Sequence, residues 1–163
     1  MTSLAEIRLV VFDFDGVFSD NRVWTNERGE ESVACWRGDA LGLRRLDEVG
    51  VSYVVITQER NEAVPARARK IRIECICGID DKLPVLREQV ERHGVTLAET
   101  AYVGNDVNDA ECLAAVGLPV VPADAWHEVV PLAALVLTRP GGYGCVRELC
   151  DALWTAKREV AAA

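Results

Sequence analysis

Short apolar runs rich in β-branched residues punctuate the chain at 9–14, 51–57, 75–77, 101–103, 119–121 and 134–137, and the segments between them follow a different period. Residues 39–49 place Leu41, Leu43, Leu46 and Val49 at helical spacing, and 62–71, 82–93 and 108–116 show similar patterns. Gly50, Gly94 and Gly117 close three of these segments, as helix C-caps favour. Strand and helix in alternation predict an α/β fold, a Rossmann-like, doubly wound, mostly parallel sheet flanked by helices. One stretch breaks the alternation: residues 22–36 read as two strands about a polar turn at 26–29, a β-hairpin insertion. No repeat, low-complexity tract or linker interrupts the chain, and 159–163 read as a frayed tail.

A length of 163 residues suits a single domain spanning 1–163. Half of the residues are hydrophobic and only 6% aromatic, which fits parallel strands covered by helices better than an aromatic-rich sandwich. The formal charge of −8, from 26 acidic and 18 basic residues, argues against general binding to nucleic acid or anionic membranes. Small molecules or copies of the chain itself are the expected partners. No apolar run approaches the roughly 18 residues of a membrane span, and residues 1–8 lack a basic region followed by an apolar core, so a cytoplasmic location is expected. Cysteines stand at 35, 75, 77, 112, 145 and 150, but Cys75-Ile76-Cys77 has one intervening residue where zinc sites have two to four. All six read as reduced packing residues.

The chemistry concentrates where the first strand should end. In Val10-Val11-Phe12-Asp13-Phe14-Asp15-Gly16-Val17 two carboxylates stand two residues apart, and an extended chain would point both the same way. Two such anions require a cation. With oxygen donors alone and no nearby His or Cys, the suitable ion is a hard one such as Mg²⁺, which binds through one or two carboxylates together with substrate phosphate oxygens. Thr57 ends the second run, where its hydroxyl and the following amides can either bind a phosphate oxygen or cap a helix. Lys82 begins a predicted helix against the helix dipole, so it reads either as a functional residue or as a solvated lysine. Gly104-Asn105-Asp106-Val107-Asn108-Asp109 follows a fourth run with a cluster of oxygen-bearing side chains, readable as ligands or as an Asx turn and N-cap.

Together, Asp13-x-Asp15, Thr57, Lys82 and Gly104-Asn105-Asp106-x-x-Asp109 resemble, in order and spacing, the four motifs of the haloacid-dehalogenase-like (HAD) hydrolases. The resemblance covers nearly the whole chain. It is closer to the capless sugar-acid phosphatases acting on 3-deoxy-octulosonate 8-phosphate or nonulosonate 9-phosphates, through Gly38-Asp39-Ala40-Leu41-Gly42-Leu43, Asp81-Lys82-Leu83, Val121-Pro122-Ala123-Asp124-Ala125 and Gly141-Gly142-Tyr143-Gly144-Cys145-Val146-Arg147-Glu148. It implies no separate cap domain and an Mg²⁺-dependent phosphatase. Asp13 would form an aspartyl-phosphate, and Asp15 would act as acid and then base. Thr57 and Lys82 would stabilise the transferred group, and Asp109 would orient its neighbours. The metal would be held by the Asp13 carboxylate, the Asp15 backbone carbonyl and either Asn105 or Asp106, because Asn105 stands where octulosonate phosphatases commonly have Asp.

The same resemblance assigns substrate binding to Asp39, Glu59 and Arg67, with Arg67 the candidate for the sugar acid's carboxylate. Gln58-Glu59-Arg60 replaces the Gly-Arg typical of octulosonate enzymes, so a nonulosonate (or sialic acid) 9-phosphate is the leading expected substrate. The octulosonate 8-phosphate is the alternative, as is a non-catalytic oligomerisation module like the C-terminal domain of acylneuraminate cytidylyltransferases. Tyr143 also stands where the octulosonate group usually has Arg. A homotetramer is implied, with the hairpin and the Gly-rich segment bordering a neighbour's site. Trp24 and Trp36 on the hairpin suit such an interface.

Overall fold

The computed structural model describes residues 2–162. After a 3₁₀ turn at Leu4–Glu6 come β1 (Leu9–Phe12), β2 (Trp24–Thr25), β3 (Glu31–Ser32), α1 (Asp39–Glu48), β4 (Ser52–Ile56), α2 (Ala63–Ile71), β5 (Glu74–Ile76) and α3 (Lys82–Arg92). The second half adds β6 (Thr100–Val103), α4 (Ala110–Ala115), β7 (Leu118–Val121), β8 (Leu135–Val136) and α5 (Cys145–Ala162). Six strands form one sheet in the order β5-β4-β1-β6-β7-β8, all neighbours parallel. β1 is central because it is apolar on both faces: Val10 and Phe12 enter one core with α1, α2 and α5, while Leu9 and Val11 enter a second with α3 and α4. From β1 the chain builds outward through β4 and β5, then returns to the other side at β6. The C-terminal end of β1 is therefore a switch point, where crevices form in sheets of this kind.

Four expectations need correction. The run 9–14 is strand only to Phe12, because the Phe14 carbonyl accepts amides from Val17, Phe18 and Ser19, and the Phe14 ring stacks on Phe18 at 5.7 Å. The segment 108–116 opens as a 3₁₀ turn at Val107–Asp109 before α4, its first turn tightened by the side chain of Asp109. Gly50 and Gly94 adopt the positive φ of helix caps, but Gly117 does not; it is needed because a Cβ there would overlap the Ala98 carbonyl. The tail read as frayed at 159–163 continues α5 as far as Ala162, and residue 163 lies outside the described residues. α5 itself was not anticipated, although Val146, Leu149, Cys150 and Leu153 recur at helical spacing and are all buried.

The hairpin is shorter than 22–36 suggests. Trp24 pairs with Ser32 and Thr25 with Glu31, and the loop is closed by the Asn26 side chain, which accepts the Arg28 and Glu30 amides at 2.9 and 3.0 Å. All four paired residues are exposed. Among the described residues no helix is long and apolar enough to cross a membrane.

Candidate active site

Asp13 leaves β1 with its amide bonded to the Val103 carbonyl of β6, and Thr57 leaves β4 with its amide bonded to the Ile76 carbonyl of β5. These ladder bonds hold both side chains at one edge of the sheet. Asp13, Asp15, Thr57, Gln58, Glu59, Arg60 and Asn108 line an open cleft of about 360 Å³ there. It adjoins a second of about 210 Å³, reached past Asp15 and Glu59 and bounded on the hairpin side by Arg22, Val23, Glu31 and Val33.

Lys82, the first residue of α3, sits behind the cleft with its side chain 1% exposed. Its Nζ lies 2.9 Å from Asp13 Oδ1 and 2.7 Å from Asp109 Oδ1, which resolves the lysine's unfavourable place at a helix N-terminus. Asp109 is fully buried and saturated: Oδ1 also accepts the Tyr102 hydroxyl at 2.7 Å, and Oδ2 accepts the Asn105 amide at 2.9 Å. Burial alone would lower the lysine's pKa, but the two carboxylates outweigh it and hold it above its ordinary value, so Lys82 stays charged. Burial pushes Asp13 up to about 7, helped by the Asp109 charge and opposed by Lys82. Asp15 is also raised by burial, with Ser19 opposing as its hydroxyl donates to Oδ1 at 3.2 Å, and Glu59 adding to the rise. A raised pKa suits Asp15 to general-acid work.

Asp13, Asp15 and Asp109 have only one buried ammonium among them, so the site when ionised is short of positive charge, a deficit a divalent cation removes. Among the described residues no three His, Cys, Asp or Glu side chains gather as a metal-binding group, so such an ion needs neutral oxygen donors as well. Asn105 supplies one. Its backbone is pinned at both ends, by Asp109 and by the Trp126 amide on its carbonyl, and its side-chain amide is seated so closely on the Asp15-Gly16 turn that a Cβ at Gly16 would overlap it. Asp106 is otherwise engaged, accepting the Val107 amide at 2.7 Å as the cap of its own turn.

Two side chains assigned to substrate fall elsewhere. Asp39 is buried between α1 and α5, accepts the Arg147 amide at 3.2 Å and does not line the cleft, because the N-terminus of α1 is packed under the C-terminal helix. Arg67 turns beneath the hairpin, donates to the Trp36 carbonyl at 3.2 Å and lines a separate basic recess with Arg37 and Lys70. Glu59 does reach the cleft, but its Oε1 accepts the Arg60 and Asn61 amides at 2.7 and 2.8 Å, shaping its own loop. Ser19, Tyr102 and Asn108 were not singled out from the sequence. Tyr102 is indistinguishable there from core, since only the fold brings Asp109 to its hydroxyl.

Replacing Asp109 with Ala leaves a buried ammonium with one partner and strands the Tyr102 hydroxyl. We expect Asp109→Ala to cost about 3–5 kcal/mol in denaturant unfolding, and a loss below about 1 kcal/mol would contradict the buried network. Burial, opposed by the Arg147 amide, pushes Asp39 from 3.8 up to about 7. Between those two values the folded chain holds a proton that the unfolded chain has lost, so this group makes stability fall as pH rises through the window and has no further effect above it. Thermal melts of Asp39→Asn should therefore gain on the native chain from mildly acidic to mildly alkaline pH; a constant difference would show that Asp39 is ordinary.

No family model matches the chain. The 3-deoxy-D-manno-octulosonate 8-phosphate phosphatase KdsC of Yersinia pestis is 35% identical over 154 residues, 94% of this chain and 82% of that protein. KdsC of Escherichia coli K12 is 34% identical over 152 residues, 93% of this chain and 81% of its own. Among solved structures, the 3-deoxy-D-manno-octulosonate 8-phosphate phosphatase of Moraxella catarrhalis, in complex with magnesium, phosphate and KDO, superposes with a TM-score of 0.91 at 30% identity, covering 98% of this chain and 91% of that one. With fold, chain order and relatives in agreement, this chain belongs to the HAD-like hydrolases, in their capless sugar-acid phosphatase group, and is a phosphomonoester hydrolase.

Proposed function

We propose that the chain hydrolyses 3-deoxy-octulosonate 8-phosphate by way of an aspartyl-phosphate on Asp13. The observation that carries this reading is Asp13 held by a buried Lys82 in the same cleft as Asp15, in a chain whose relatives are named for that substrate. The nine-carbon expectation rested on Glu59, and the loop-shaping bonds of that carboxylate give it a reason to be present whatever the sugar. Tyr143, 48% exposed on the Gly-rich segment, and Asn105 remain departures from the octulosonate pattern.

In the first step Asp13 attacks phosphorus in line with the sugar oxygen, while Asp15 gives that oxygen its proton. Asp15, now a carboxylate, takes a proton from water, and the hydroxide attacks the acyl phosphate to release inorganic phosphate and restore Asp13. Thr57, just past the end of the neighbouring strand β4, binds a phosphoryl oxygen. Lys82, held rigidly by Asp109, keeps the Asp13 carboxylate in position and contributes positive charge to the phosphoryl group. Mg²⁺, which the Moraxella enzyme holds together with phosphate, would sit here on Asp13, Asp15 and Asn105 and neutralise charge on the phosphoryl oxygens. Among the described residues none lids the open cleft, and the exposed hairpin suits a homotetramer in which a neighbour's hairpin excludes water: Trp24 is 74% exposed and Trp36 43%.

Phosphate release from a panel of sugar-acid phosphates should favour the eight-carbon substrate, stop on chelation and resume with Mg²⁺. Asp13→Asn should lower turnover by at least about 10³-fold. Preference for a nine-carbon substrate would overturn the assignment of sugar, and near-normal turnover of Asp13→Asn would overturn the mechanism. Light scattering should find a tetramer for the native chain and smaller species for Trp24→Glu; a native monomer would rule the assembly out.

A further inference from the structure

Cys75 and Cys77 take no part in the chemistry above. Cys75 lies in β5 and Cys77 follows its last residue, so their side chains leave the same side of the strand. Their Sγ atoms are 3.3 Å apart, and both cysteines are free and half-buried. Burial and the adjacent Cys77 push the Cys75 thiol up, so Cys75 keeps its proton. β5 is an edge strand of three residues with only β4 beside it. The Ile76 carbonyl, between the two cysteines, accepts the Thr57 amide at 3.0 Å. Just beyond Cys77, the Gly78 amide donates to the Glu59 carbonyl and the Ile79 amide to the Thr57 carbonyl, each at 3.0 Å. The backbone of the phosphate-facing loop is thus tied to the chain on both sides of Cys77.

We propose that Cys75 and Cys77 form a reversible modification site, oxidised to a disulfide by hydrogen peroxide, and that closing it unseats Thr57 and slows the enzyme. The effect on rate rests on the phosphatase reading; the sulfur chemistry does not. The Cys77 sulfur attacks one peroxide oxygen, the O–O bond breaks, the other oxygen leaves as water with the thiol proton, and a sulfenic acid remains. The Cys75 sulfur then attacks the Cys77 sulfur, the S–O bond breaks, and the departing hydroxide takes the Cys75 proton as a second water. Two thiols lose two electrons and one peroxide gains them. Alternate residues on an extended strand stand about 6.6 Å apart at Cα, near the upper limit of the roughly 4.4–6.8 Å that a disulfide spans. Bringing the sulfurs from contact to bond therefore draws the chain around Ile76 out of extension and turns its carbonyl away from Thr57. An edge strand yields readily because a single ladder holds it.

The test treats the reduced full chain with hydrogen peroxide and follows three readouts: peptide mass mapping, amide exchange across 55–59, and hydrolysis of a phosphomonoester. The expected result is loss of two hydrogens from the peptide containing 75–77, faster exchange at Thr57, and turnover lowered about tenfold, all reversed by a dithiol reductant. Cys77→Ser should keep the turnover of the untreated chain and lose the response. Oxidation at other cysteines without the 75–77 link would overturn the proposal, as would the link without a change at Thr57. If the untreated chain hydrolyses no phosphomonoester, the functional reading alone fails, and mapping and exchange still decide this one.

Discussion

A single buried ammonium organises the reactive edge of this fold. Lys82 is held between Asp13 and Asp109 with almost no access to water. A charge in that position survives only with close, well-oriented partners. Meeting that condition fixes three separate elements relative to one another: the end of β1, the start of α3 and the turn after β6. Asp109 extends the constraint through the Tyr102 hydroxyl and the Asn105 amide, so the residue best placed as a neutral metal donor is positioned by the same carboxylate that holds the lysine. The helix dipole, which disfavours Lys82 where it stands, is overridden by two anions at hydrogen-bond distance.

The Gly-rich segment before α5 serves the same edge from below. A Cβ at Gly141 would overlap the Gly16 carbonyl, the Gly142 amide donates to the Val17 carbonyl at 3.0 Å, and the Cys145 thiol donates to that carbonyl at 3.2 Å. The turn that presents Asp13 and Asp15 therefore rests on chain from the far end of the sequence, and α5 is what anchors it. This explains why that helix is long and buries Val146, Leu149, Cys150 and Leu153. The hairpin is built oppositely. Its paired residues are exposed, and it meets the body mainly at its base, where Val33 and Cys35 pack on the core, Arg67 donates to the Trp36 carbonyl and Asn61 donates to Glu31 at 3.1 Å. A weakly held arm with bare tryptophans has little to gain alone in water.

The edge strand β5 shows how a position that reads as core can acquire a second role. By composition Cys75 and Cys77 are small apolar residues in a sheet, and they do pack against the core. Their shared face places two sulfurs in contact, and the intervening carbonyl happens to anchor Thr57. The coupling depends on register with β4, which strand periodicity alone does not specify.

Local pattern was enough to reveal the parallel α/β class and five of the six strands to within one residue at either end, because alternation and strand length are written in neighbouring positions, whereas Asp13, Asp15, Thr57 and Lys82 stood out jointly only through the order of the motifs they resemble. The first strand's early end at Phe12 was the exception, since Phe14 leaves the strand to stack on Phe18, a contact made by folding. Tertiary structure alone decided where the long-range partners fall. It joined Lys82 to Asp109 across 27 residues of chain, put Tyr102 beside them, sent Arg67 under the hairpin and Asp39 under α5, and turned Glu59 onto its own loop. The physical reason is that a residue's type states what bonds it can make, while its available partners are set by which strand ends and helix termini the sheet brings together.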